Sequence, residues 1–163
     1  MGKIFHKIAL AAAVITMLSG CVIVINNSKP TADEQNLIDI QTQANQQVAQ
    51  VTQKIQTGGY SITQIQALIT EAKKSVDENL KKIDALKIPE RTKALAETTK
   101  NYLKKAAETY VTLLQMSAQT GVQISAFINN LQTMSQPLAN MAKQAEDVKT
   151  QFLNELQKAA NSQ

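Results

Sequence analysis

Apolar residues recur every three or four positions along most of this chain, and the recurrence falls into four stretches. The first is Leu37, Ile40, Ala44, Val48, Val51 and Ile55, and the second is Ile62, Ile65, Ile69, Ala72, Val76, Leu80 and Ile83. The third is Leu95, Tyr102, Ala106, Tyr110 and Leu113. The fourth runs Ile124, Phe127, Leu131, Met134, Leu138, Met141, Ala145, Val148, Phe152, Leu156. Such spacing keeps one face of an α-helix apolar, and the last stretch alternates three and four like a heptad seam. The glutamines Gln41, Gln43, Gln46, Gln47, Gln50 and Gln53 fall on the outer face of the first helix. No run alternates β-branched or aromatic residues with polar ones, so no strand is predicted.

Start and stop signals separate the stretches. Thr31-x-x-Glu34 and Ser61-x-x-Gln64 are capping boxes, which open the first two helices. Gly58-Gly59 ends the first, because glycine takes the left-handed conformation at a C-terminal cap without steric cost. Lys87-Ile88-Pro89 ends the second, since the residue before proline avoids the helical region. Pro89 also suits the first turn of the third helix. Thr120-Gly121 marks a turn before the fourth. The apolar phase continues almost unshifted across it, so one rod of about 100 Å is the alternative. Pro137 lies inside the fourth helix; the seam keeps its phase there, which predicts a kink rather than a break. The tail from Ala159 to Gln163 is expected to fray. The fold class is therefore all-α, an antiparallel up-down bundle of about four helices, the last long and kinked at Pro137.

The chain begins differently. Lys3 and Lys7 precede an apolar run from Ile8 to Leu18, and no acid occurs before Asp33. A basic start, an apolar run of this length and small residues after it make a secretory signal. Ser19 and Gly20 are the small residues, and the chain's only cysteine, Cys21, follows them. Leu18-Ser19-Gly20-Cys21 resembles the lipobox of bacterial lipoproteins, in which cleavage between the residues corresponding to Gly20 and Cys21 frees a cysteine that carries a lipid. The resemblance implies a signal peptide over 1–20, a lipidated cysteine and tether over 21–30, and a helical-bundle domain over 31–163. It also implies a membrane-attached product. Val22 stands where an aspartate commonly retains such proteins in the inner membrane, so the implied place is the outer membrane, facing the periplasm.

Two other readings use the same residues. One is a plain secretory signal with Cys21 incidental. The other is an uncleaved anchor, because Val22, Ile23, Val24 and Ile25 lengthen the apolar run toward the ~18–20 residues that span a bilayer. All three place the bundle outside the cytoplasm. The murein lipoprotein is similar in the signal and lipobox only. It is one continuous helix ending in a lysine joined to peptidoglycan, whereas this chain has turn signals and ends Asn161-Ser162-Gln163.

Charge and composition narrow the chemistry. The net charge is +4, and without Lys3 and Lys7 there are 15 basic and 13 acidic residues, so nucleic acid is not an implied partner. His6 is the only histidine and leaves with the signal. With Cys21 acylated, the mature chain has no imidazole and no free thiol. Ser-His-Asp and Cys-His catalysis and zinc sites built on Cys or His are excluded. No Glu-x-x-His pair exists for a di-metal bundle site, and no cofactor is expected.

Lys73, Lys74, Lys81, Lys82, Arg91, Lys93, Lys100, Lys104 and Lys105 concentrate in helices two and three. The acids Glu71, Asp77, Glu78, Glu90 and Glu97 precede several of them by three or four residues, the pattern of a solvated helix face. The alternative is an anionic surface such as lipid headgroups. Tyr102, Tyr110, Met134 and Met141 read as core. The expected function is a lipid-anchored module that binds an unidentified protein or envelope partner without catalysis. The alternatives are a self-associating envelope spacer, with the chain as a homo-oligomer, and an enzyme using carboxylates or tyrosine.

Overall fold

A computed structural model describes residues 29–119 and 123–161. Its elements are α1 (Ala32–Thr57), α2 (Ile62–Ala85), a 3-10 turn (Glu90–Thr92), α3 (Lys93–Ser117) and α4 (Ile124–Asn161). No strand occurs among the described residues. Both capping boxes form. The Thr31 side chain accepts the Glu34 N–H at 3.3 Å, while the Thr31 N–H donates to Glu34 Oε2 at 2.8 Å. Ser61 and Gln64 repeat the exchange at 3.4 and 2.9 Å.

Gly59 is the left-handed residue after α1, with φ +60°. Gly58 is needed for another reason: a Cβ there would lie 2.1 Å from the Tyr60 ring. The chain turns back against its own tyrosine. α2 stops at Ala85, and Leu86 is already extended, three residues before Pro89.

Neighbouring helices are antiparallel. The Ser75 hydroxyl donates to Gln47 across α1 and α2. Gln66, at the start of α2, donates to the Ser117 carbonyl at the end of α3. Gln41, early in α1, donates to Glu146, late in α4. α3 packs most extensively, against α2 on one side and α4 on the other, and α1 lies against α2 and α4 and touches α3 across the core. Because α3 and α4 lie side by side, they are not one rod. The Thr120-Gly121 turn itself lies outside the described residues. α4 runs unbroken through Pro137 to Asn161.

Leu37, Ile69, Leu103, Leu113, Tyr102 and Phe127 are sealed in the centre. Burying such a side chain contributes about 1.5–3 kcal/mol relative to leaving it exposed. The stripes account for most of the core, but they omit the buried Ile38, Ala96 and Leu103, and three of the assigned positions differ. Ile124, assigned to the seam, is exposed, because as the first residue of α4 it has no preceding turn to pack behind. Gln41, assigned to the outer face, is fully buried, its amide satisfied by Glu146. Gln47 is half-buried through its bond to Ser75.

Candidate functional site

Gly20 and Cys21, the expected cleavage and lipidation residues, lie outside the described residues. What the structure does place is the end of the bundle into which the chain leads from them. There Glu34 closes the first turn of α1 and is wholly buried. Arg91, in the 3-10 turn, grips it with both prongs: Nε donates to Oε1 at 2.7 Å and Nη2 to Oε2 at 2.6 Å. The guanidinium carbon sits 5.8 Å from the centre of the Phe152 ring on α4. The Lys87 N–H donates to Asp33 at 3.3 Å beside it. One arginine thereby joins the start of α1, the entry to α3 and the end of α4.

Electrostatics follow from this geometry. Hydrogen bonds from Arg91 hold the Glu34 carboxyl below the ordinary carboxylate range, against the opposing effect of burial. Glu34 in turn raises Arg91 further, so both stay charged. A planar fork meeting a carboxylate at two points also fixes direction, which a lysine would not.

A second polar contact joins α1 to α4. Lys149, on the face that meets α1, is buried. Its Nζ pairs with Glu146 at 2.8 Å and donates to the Thr42 hydroxyl at 3.2 Å. Deeper in the bundle, Asn45 Oδ1, Asn79 Nδ2, Thr99 Oγ1 and the Tyr110 hydroxyl are buried without a partner. Each unpaired buried group costs about 1–3 kcal/mol.

The lysine-rich helices behave mainly as a solvated face. Lys93 pairs loosely with Glu90 at 3.8 Å, as the spacing suggested. Other partners differ: Lys73 takes Asp77, Lys105 takes Glu108, and Lys100 reaches across from α3 to Asp84 on α2. Arg91 is the exception, drawn inward to Glu34. Among the described residues no group of three acids or histidines could hold a metal ion. Burial raises both Tyr102 and Tyr110, which leaves their hydroxyls protonated in the core. A shallow groove between α3 and α4 is lined by Glu97, Asn101, Met141 and Gln144. It brings one acid together with two amides, and no second acid converges on it.

The Glu34–Arg91 pair joins residues 57 apart, and a single sequence carries no signal for so distant a partner. The sequence reading missed both Lys149 and Gln41, although each falls on a helix face that also carries core residues. No helix among the described residues is long and apolar enough to cross a membrane. No protein family, curated protein or solved structure matches this chain.

Proposed function

We propose that this chain is a lipid-anchored lipoprotein of the bacterial envelope, attached through Cys21 to the outer membrane and facing the periplasm, whose helical bundle is a non-catalytic binding module. The observation that carries this reading is Leu18-Ser19-Gly20-Cys21, directly after a basic and apolar start. Nine residues separate Cys21 from the Thr31 cap, a tether of at most about 35 Å.

The geometry of the anchored end suits this role. A tether pulls on the first turn of α1. Arg91 ties that turn to α3 and rests on Phe152 of α4, so a pull is shared by three helices instead of peeling one away. The bundle's ionisable side chains are otherwise paired with one another or spread over solvated faces. Its buried tyrosines are protonated and remote from solvent. These features favour recognition over acid–base chemistry.

Cys21→Ser tests the reading. The variant should take up no acyl label in cells fed a labelled fatty acid, and it should accumulate as the uncleaved precursor. Equal acyl labelling of the variant and the wild type would overturn the anchor.

A further inference from the structure

The four helices are not held by the same kind of contact. α1 is the least extensively packed of them, and α3 the most. Side-chain bonds tie α1 to each element it lies against. Ser75 of α2 donates to Gln47, Gln41 donates to Glu146 of α4, and Lys149 of α4 donates to Thr42. Ahead of α3, Arg91 binds Glu34 and the Lys87 N–H binds Asp33. α3 and α4 pack far more closely, yet among the described residues no hydrogen bond or ion pair joins them. Apolar packing holds that pair.

The inward face of α1 is mixed in the same way. Glu34, Gln41 and Asn45 are buried there beside Leu37, Ala44 and Val48. Asn45 Oδ1 has no partner in the core and would gain one in water. Polar bonds inside a protein contribute modestly, because water replaces them when they break. Water offers no such replacement for apolar packing. α1 is therefore the helix whose release costs least. The other terminal helix, α4, is secured by its long contact with α3.

The connection suits such a release. α1 joins α2 through Gly58-Gly59. Gly59 lies in the left-handed region at φ +60°, and nothing stands within 4 Å of the place a Cβ would take. Glycine can change its dihedral angles there without steric cost, so α1 can be re-aimed while α2 stays in place.

We infer that α1 is a releasable strap, which leaves as a unit about the Gly58-Gly59 joint while α2, α3 and α4 stay paired. The Glu34–Arg91 clamp is its latch, since it holds the end of α1 farthest from the joint. Release bares Leu37, Ile40, Val48 and Ile55, together with the faces of α2 and α4 on which α1 lies. The strap is a property of the bundle, independent of the lipid anchor, and goes beyond the binding-module reading.

Hydrogen–deuterium exchange of the full-length chain, extracted from membranes and read by mass spectrometry, tests this. After correction for intrinsic rates, amides at 40–55 in α1 should exchange together, about tenfold or more faster than those at 99–113 in α3. Leu103→Val separates the strap from opening of the whole bundle. Leu103 is fully buried, one turn after the Lys100 that reaches Asp84, on the side of α3 that faces α2. Loss of one buried methylene should quicken α3 exchange about fourfold. It should leave α1 exchange unchanged, because the α2–α3 contact persists while the strap is open. Equal rates for α1 and α3 in the wild type would overturn the proposal. So would a Leu103→Val variant in which the two helices respond alike.

Discussion

Cutting Arg91 back to alanine should destabilise the bundle through the residue left behind. Glu34 is fully buried, while the Arg91 side chain is 48% exposed. Arg91→Ala leaves a carboxylate inside the protein with only Thr31 facing it. Removing one partner of a buried pair costs about 3–5 kcal/mol. Here water can enter where Arg91 stood, which brings the expected loss to about 2–3 kcal/mol. The guanidinium stacked over Phe152 adds roughly 0.5 kcal/mol. A loss near 3 kcal/mol lowers Tm by roughly 10 °C in a domain of this size. Glu34→Gln should cost less, about 1 kcal/mol, because the arginine it frees can turn to solvent. The double variant should lose about 1–2 kcal/mol less than the two single losses added together, since the orphaned charge is gone.

The pH dependence has a definite sign. In the wild type the Glu34 carboxyl is held below its unfolded value. Its contribution is therefore complete above the unfolded carboxylate range, about 4.3, and is lost as pH falls through the folded value. In Arg91→Ala, burial without the cation raises the same carboxyl, and acid relieves that penalty. The gap between the two proteins should narrow from pH 7 to pH 4. Urea unfolding followed by circular dichroism measures it. Losses that add to within about 0.5 kcal/mol, or a gap that stays constant with pH, would refute the account of the clamp.

Leu131→Ala should cost about 2–5 kcal/mol, since Leu131 is buried in the α4 seam, whereas Gln132→Ala on its exposed face should change little; thermal melts compare them. Lys149→Met should fall within about 1 kcal/mol of wild type, because Glu146 is 30% exposed and can hydrate when its partner is gone; urea midpoints decide this. Gly59→Ala should lose about 1–2 kcal/mol from the left-handed backbone alone, since nothing lies within 4 Å of the added methyl group; an unchanged midpoint would contradict that strain.

The fold was legible because its signals are local. Capping boxes, Gly59 and the approach to Pro89 each act within a few residues, and all appear where the periodicity places them. Helix pairing followed from short connections between successive helices. Contacts between distant residues were not legible. Gln41 reads as one of six similar glutamines, and only its position opposite Glu146 removes it from water. Arg91 reads as one more cation on a lysine-rich face until the bundle brings Glu34 to it.

The central claim is the anchor, and the intact mass of the protein extracted from membranes tests it most directly. The account predicts a chain that begins at Cys21, heavier than residues 21–163 by its acyl groups. A mass that retains Met1, or one with Cys21 unmodified, would contradict it.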